Sequence, residues 1–331
     1  MNILVTVPEP LCSRILSQEA KALLLAKASV TWNEDGRNWT GPELAERLAG
    51  VDGLLTGWGI TCLTSEVLSR ADRLRIIGHS AGSVKGFISP AVYDKGIVVT
   101  HAASRIADSV AEFALTMALV GLKRPDLFSA QMHQGLLWEQ NPSVALREIA
   151  GMKVGILGCG YVGQRAIRLF RGVGANVWVY DPYLTPARAQ ELGVVKAELQ
   201  EILRSCPVIS VHLPSTDETH HMLGVDEFAM ISDGAVFINT ARSWVLDELA
   251  LTMELAKGRF WAALDVYDEE PLPLDHSLRR MDNVLLTPHI AGRTEESYRN
   301  LLGTVIDELL RFFAGQPLRY QVTRDMLATM A

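Results

Sequence analysis

The chain has 331 residues, of which 48% are apolar and 21% charged. That composition excludes a disordered, collagen-like or disulfide-stapled protein and is long enough for two domains with real cores. The net charge of −7 offers no electrostatic pull toward nucleic acid or an anionic membrane surface, although one local cation suffices for a small anionic substrate.

The four cysteines, Cys12, Cys62, Cys159 and Cys206, form no CxxC pair. Neither a local zinc knuckle nor a disulfide framework is expected, and no metal site. The first residues, Met1 to Pro8, carry no basic segment and meet proline early, unlike a signal peptide. The longest apolar run, near Phe113 to Leu122, falls short of the ~18 residues that span a bilayer. The expectation is a soluble cytoplasmic protein with no membrane or nucleic-acid partner.

In chain order, Ile3 to Val7 reads as a buried strand closed by Pro8. Gly41 to Leu48 reads as a helix with proline in its first turn. Further strands are expected at Gly53–Thr56, Leu74–Gly78 and Gly96–His101. Strands alternating with helices imply parallel βα units. A long helix is predicted from about Ser109 to Lys123, capped by Asp108 or Ser109, with Glu112 in its first turn. From Pro125 to Glu148 the pattern weakens to a connector. A second βα series begins at Lys153, with strands near 153–157, 176–180, 208–212, 235–239, 261–265 and 284–287. Six strand signals in one series fit a doubly wound nucleotide-binding sheet. From Thr294 on, the sequence reads as a helix and then a polar tail.

The first strand of that series runs into Gly158-Cys159-Gly160-Tyr161-Val162-Gly163 and then a helical pattern, the context a GxGxxG motif requires. Gly158 permits the tight turn, Gly160 lets backbone approach a pyrophosphate, and Gly163 lets the helix pack on the strand. The helix start, with Tyr161 and Val162, offers free N–H groups to phosphates. Asp181 ends the next strand, near the ~20-residue offset of a ribose-binding carboxylate. It suits a ribose diol and repels a 2′-phosphate, so NAD(H) is favoured over NADP. Cys159 is read as a small loop residue.

Three polar groups follow later strands: Asn239-Thr240-Ala241-Arg242-Ser243-Trp244, Asp265-Val266-Tyr267-Asp268-Glu269-Glu270-Pro271-Leu272-Pro273, and Thr287-Pro288-His289-Ile290-Ala291-Gly292. Each lies at the carboxyl edge of a parallel sheet, where ligands bind. Histidine exchanges protons near neutral pH, a carboxylate beside it fixes its tautomer, and a guanidinium grips a carboxylate with two hydrogen bonds.

The ordered set GxGxxG, NTAR, LDVxxxEPLP, TPHIAG resembles the D-isomer-specific 2-hydroxyacid dehydrogenase family, most clearly from Lys153 to Gly292. The resemblance implies an α/β chain of two Rossmann-like or flavodoxin-like domains. The NAD-binding domain (104–293) is inserted into a substrate domain built from 1–103 and 294–331. It implies reversible hydride transfer between NADH and a 2-oxo acid, giving a D-2-hydroxy acid, in a homodimer formed through the NAD-binding domain. By motif, Arg242 matches the substrate-binding arginine, His289 the general acid/base and Glu270 its orienting carboxylate. Asp265 matches the residue that holds the nicotinamide carboxamide. His212, Pro214, Thr219, Thr240, Ala241 and Gly292 fall at other cofactor-lining positions. His220 and His221 are read as surface or packing residues.

Two departures bear on the substrate. Relatives usually follow the arginine with glycine and then a variable residue, whereas here Ser243-Trp244 follows, and Trp244 either narrows the pocket or packs against the dimer partner. The loop after residues 74–78 lacks the relatives' Asp-Asn pair and reads Ser80-Ala81-Gly82-Ser83-Val84-Lys85-Gly86-Phe87. Its backbone N–H groups suit a carboxylate. The Lys85-Gly86-Phe87 run is similar to a loop in phosphite dehydrogenases, which use lysine on their anionic substrate. Ser80, Ala81, Gly82, Lys85 and Trp58 are therefore candidate substrate contacts; Trp58 either walls the pocket or fills the core. Trp138 is a candidate for reaching a neighbouring subunit's site. The alternatives to a 2-hydroxyacid dehydrogenase are a phosphite-type dehydrogenase and an NAD-sensing, corepressor-like binding protein.

Overall fold

The structure is a computed structural model that describes residues 1–136 and 144–330. The chain divides into two compact units, Met1–Ile106 with Arg293–Ala331, and Ala107–Gly292.

The first unit opens with β1 (Asn2–Val5), α1 (Leu11–Ile15), α2 (Gln18–Leu25) and β2 (Ser29–Trp32). It continues with α3 (Gly41–Arg47), β3 (Gly53–Thr56), β4 (Ile76–His79), α4 (Pro90–Asp94) and β5 (Val98–His101). The parallel order is β2-β1-β3-β4-β5, that of a flavodoxin-like sheet whose direction reverses between β1 and β3. Alternate residues feed two faces. Leu4, Leu54, Ile77 and Val99 pack with the α3 side, while Ile3, Val5, Leu55 and Ile76 enter the other cluster. The predicted helix at 41–48 forms with a capping box, in which Glu43 accepts from the Thr40 N–H at 2.8 Å.

The long helix α5 spans Ala103–Lys123, so it starts earlier than its predicted caps. The reason is tertiary. Asp108 pairs with Arg165 at 2.8 Å, and the Ser109 hydroxyl donates to the Ala291 carbonyl at 2.6 Å, so neither serves as a cap. The predicted connector begins with a helix, α6 (Pro125–His133), entered from a left-handed Arg124. No residue of α6 is buried, so it lacks the apolar stripe by which a helix is recognised.

The second unit contains β6 (Lys153–Leu157), α7 (Tyr161–Gly172), β7 (Asn176–Tyr180), α8 (Pro186–Leu192), β8 (Val195–Lys196) and α9 (Leu199–Ser205). Then come β9 (Val208–Val211), α10 (Val225–Met230), β10 (Val236–Asn239), α11 (Glu248–Leu255), β11 (Trp261–Leu264) and β12 (Val284–Leu286). Its order is β12-β11-β10-β9-β6-β7-β8, parallel throughout. This is the doubly wound arrangement with one strand more than expected, the two-residue β8. Val154, Ile156, Val179 and Ile238 pack under α5 and α7. Ile209, Val211, Phe237 and Leu264 pack under α9, α10 and α11.

The chain returns to the first unit with α12 (Glu295–Arg299), α13 (Leu301–Phe313) and β13 (Gln321–Val322). The expected polar tail is corrected here. β13 pairs antiparallel with β5, and Val322 is fully buried. The buried Glu308 carboxylate holds the approach to that strand by accepting the Arg319 and Tyr320 N–H groups at 2.8 and 2.9 Å. Among the described residues no helix is long and apolar enough to cross a membrane, and no cluster of metal-ligating side chains forms.

Candidate active site

The glycine turn leaves β6 where the order of the second sheet reverses, between β6 and β9. Gly158 takes φ +97°, and a β-carbon there would lie 2.7 Å from the His212 carbonyl oxygen. At Gly163 a β-carbon would meet the Gly158 oxygen at 2.0 Å, so only glycine lets α7 start against the strand. Gly160 differs, because its β-carbon position faces open space with nothing within 4 Å. Tyr161 and Val162 follow as the first helical residues, with Tyr161 partly exposed.

Asp181 closes β7. One carboxylate oxygen accepts the Cys159 N–H at 2.7 Å and the other the Tyr183 N–H at 2.8 Å. The residue expected to meet a ribose therefore also fixes the glycine turn. Burial first, and the Asp181 charge second, push the Cys159 thiol up to about 11, so it stays protonated at neutral pH.

Arg242 follows β10. Asn239 shapes this segment, accepting the Ala241 N–H at 3.0 Å and donating to the Arg242 carbonyl at 3.1 Å. The guanidinium donates to the Ala241 carbonyl at 2.6 Å. Desolvation lowers its pKa, and the nearby Glu270 charge acts in the opposite sense. Glu270 lies in the loop after β11, where one carboxylate oxygen accepts the Tyr267 N–H at 3.2 Å. Its other oxygen is 2.7 Å from His289 Nδ1. His289 sits in the loop after β12 with φ +52°, a conformation that is uncommon outside glycine.

Asp265 is almost fully buried and braces the His289 loop. It accepts from the Thr287 hydroxyl at 2.6 Å and from the Ile290 and Ala291 N–H groups, both at 2.9 Å. A carboxylate has about four acceptor positions, so one remains for a ligand amide. Tyr267 ties β11 to β12, since its hydroxyl lies 2.8 Å from the Leu264 carbonyl and 2.9 Å from that of Thr287. The supporting parts played by Asn239, Tyr267 and Thr287 had no signal in the sequence beyond their adjacency to the motif residues.

Two buried polar atoms near the turn lack a protein partner: His212 Nδ1 and Thr240 Oγ1. His212 Nε2 lies 2.9 Å from the Ser210 hydroxyl, and burial lowers its pKa to about 4, so the ring is neutral at neutral pH. Thr219 is spent internally, donating to the Pro214 carbonyl at 2.6 Å and thereby shaping the loop. Gly292 ends the unit, one residue beyond Ala291.

In the first unit, the residues after β3 and β4 give a different picture from the side chains expected there. Ser80 and Ala81 are buried, and the Ser80 hydroxyl donates to the Thr56 carbonyl at 2.7 Å. The Ser80 N–H also donates to the Thr56 carbonyl, at 2.9 Å, so what this stretch can offer a ligand is the backbone of Ala81 and Gly82. Lys85 is half-buried. Trp58 is 39% exposed beside Tyr298, their rings 5.8 Å apart, so it is not core filler. Trp138 lies outside the described residues.

Residues 115–291 match the model of the D-isomer specific 2-hydroxyacid dehydrogenase family, NAD binding domain. The chain belongs to that family. It is 33% identical over 263 residues to a D-3-phosphoglycerate dehydrogenase of Archaeoglobus fulgidus, covering 79% of this chain and 50% of that protein. It therefore spans about half the length of that relative. To a glyoxylate reductase of Aeropyrum pernix it is 30% identical over 270 residues, covering 79% of this chain and 80% of the other. A solved phosphoglycerate oxidoreductase of Rhizobium etli superposes with TM-score 0.83 at 28% identity, covering 99% of each chain. The second unit of this dehydrogenase-family chain is its NAD-binding domain, and its residues fit the dinucleotide. The open space at Gly160 and the unpartnered His212 Nδ1 and Thr240 Oγ1 are what a bound cofactor would fill and satisfy.

Proposed function

We propose that this protein catalyses reversible hydride transfer between NADH and a 2-oxo acid, forming a D-2-hydroxy acid. The observation that carries the reading is the 2.7 Å contact between His289 Nδ1 and Glu270, on loops of the sheet that presents the glycine turn. When bound, NADH supplies the hydride to the carbonyl carbon. Glu270 accepts a hydrogen bond from Nδ1–H of the His289 imidazolium, and its Nε2–H delivers the proton to the developing alkoxide, leaving a neutral ring. In the reverse direction Nε2 takes the hydroxyl proton. Arg242, already largely desolvated, grips the substrate carboxylate and draws charge from the carbonyl oxygen. Asp265 holds the His289 loop and offers its remaining acceptor position to the nicotinamide amide. Of the candidate substrate contacts in the first unit, Ala81 and Gly82 would contribute backbone N–H groups, and Lys85 and Trp58 side chains.

Asp181 makes the enzyme prefer NAD over NADP, because a 2′-phosphate would face a carboxylate already anchored by two backbone donors. The proposal also includes a cytoplasmic protein and a homodimer through the NAD-binding unit. The four unpaired cysteines support the first, and the resemblance alone supports the second.

The test is NADH consumption against a panel of 2-oxo acids from glyoxylate and hydroxypyruvate to branched and aromatic acids, with NADPH in parallel. Turnover with one size class, and NADPH used at least about a hundredfold less efficiently, is expected. Silence with every acid, despite NADH binding, would overturn the reaction. Equal use of NADPH would overturn the role of Asp181.

A further inference from the structure

Trp244, two residues after Arg242, packs within its own chain rather than waiting for a dimer partner. Its indole N–H donates to the Thr216 carbonyl at 2.9 Å. Its own carbonyl accepts the His221 N–H at 3.0 Å. The indole lies 4.1 Å from the His220 ring, which in turn stacks on His221 at 4.0 Å. Two residues on, the Leu223 N–H donates to the Val245 carbonyl at 3.1 Å, and Asp247 returns a bond to Leu223 at 3.0 Å. The segment 242–247 and the loop after β9 are thus zipped together, and Trp244 is the only residue among these that joins them through both side chain and backbone.

The two segments meet the site at different points. The loop after β9 starts at the His212 carbonyl, against which Gly158 of the glycine turn is packed. It carries Pro214 and Thr219 and ends at the paired histidines. The other segment carries Arg242, whose backbone is held by Asn239. We propose that Trp244 is a positioning residue that makes these two segments respond as one, so that filling the dinucleotide site also fixes the stretch bearing Arg242. The substrate carboxylate then meets an arginine set in advance by cofactor. This inference rests on the reading of Arg242 given above. The half-exposed indole is the device that couples them. The indole N–H and the backbone carbonyl of Trp244 both hold the opposing loop, and an alanine there would keep only the second.

The test is hydrogen exchange of the full chain, read by mass spectrometry, with and without saturating NADH. In the wild type, NADH is expected to slow exchange at least about fivefold in both 214–221 and 242–247. In Trp244→Ala, the protection should persist in 214–221 and vanish from 242–247. Trp244→Phe keeps the ring against His220 and loses only the donor, so intermediate protection is expected. It also keeps the experiment informative should the alanine variant fold poorly. With whichever 2-oxo acid the panel identifies, Trp244→Ala should raise substrate KM about tenfold while kcat changes less than about threefold. Protection of 242–247 that survives in the alanine variant would overturn the coupling, as would a wild type in which NADH protects only 214–221. A lowered melting temperature with unchanged protection and KM would show a purely structural indole and would equally overturn it. Arg242→Ala is the separate control. If it leaves substrate KM unchanged, the assignment of Arg242 fails, whatever the exchange data show for Trp244.

Discussion

At the scale of single residues, the proposed proton transfer and the acid sensitivity of the fold fall on different histidines. His289 is held by Glu270 and is partly exposed, with 42% of its side chain accessible. Its replacement by alanine is expected to lower turnover by about 10²–10⁴ while NADH affinity changes less than about threefold. An equal loss in both, measured by steady-state rates and fluorescence titration, would contradict the acid/base role. His79 does opposite work. It is buried under Phe87, with Nδ1 2.9 Å from the Thr56 hydroxyl, and burial lowers its pKa from 6.5 to about 3. The neighbouring His101, whose Nδ1–H donates to the Gly82 carbonyl at 3.2 Å, is shifted down as well, chiefly by burial. Between the two values for His79 the unfolded chain binds a proton that the folded chain refuses. Stability is therefore full above pH ~6.5 and falls as the pH drops toward ~3, with each such histidine adding about 1.4 kcal/mol per pH unit. Urea unfolding at about pH 7 and about pH 5 should show a shallower pH dependence for His79→Gln than for the wild type. Parallel behaviour of the two would rule out this source of acid sensitivity.

At the scale of elements, the turn between β6 and α7 separates folding from binding within a few residues. Gly163→Ala forces a β-carbon onto the Gly158 oxygen and is expected to cost about 2–4 kcal/mol of stability. Gly160→Ala meets no atom and has an ordinary negative φ, so it should fold normally yet weaken NADH binding at least about tenfold. Thermal melts beside NADH titrations of both variants check this. Normal NADH affinity in Gly160→Ala would mean that the phosphates lie elsewhere. This turn was legible in the sequence because its strand, glycines and helix are contiguous. The strands at 153–157 and 176–180 were equally plain, being branched apolar runs closed by turn residues. The two-residue strands β8 and β13 were invisible, since so short a segment has no period to read. The start of α5 was misplaced because Asp108 and Ser109 look like caps locally, while their partners, Arg165 and Ala291, are far away in sequence. Asp265 was legible as a candidate site residue, but its three bonds to the 287–291 loop were not, because they exist only once β11 and β12 lie side by side.

At the scale of the whole molecule, every residue assigned to proton transfer and to the dinucleotide belongs to one continuous stretch. A polypeptide of residues 103–292, which keeps α5 whole, is expected to bind NADH within about tenfold of the full chain's affinity. If the first unit contributes substrate contacts as proposed, this polypeptide should turn over less than about one hundredth as fast. Full activity in that fragment would remove the first unit from catalysis. The other unit has no such continuity. Its sheet is finished by Gln321–Val322 along β5, and Leu301, Leu302, Val305, Ile306 and Leu309 of α13 fill one side of its core.

That arrangement has a consequence for the ribosome. The strands β1 to β5 are made before the second unit, yet the helix that covers one of their faces and the strand that shields their last edge are made after it. While the nucleotide-binding half is being translated and folds, the nascent first half waits with apolar surface and a bare strand edge exposed, the condition under which chains adhere to one another. The order of synthesis therefore runs against the order of completion, and the newborn chain's need for chaperones is concentrated in its first hundred or so residues.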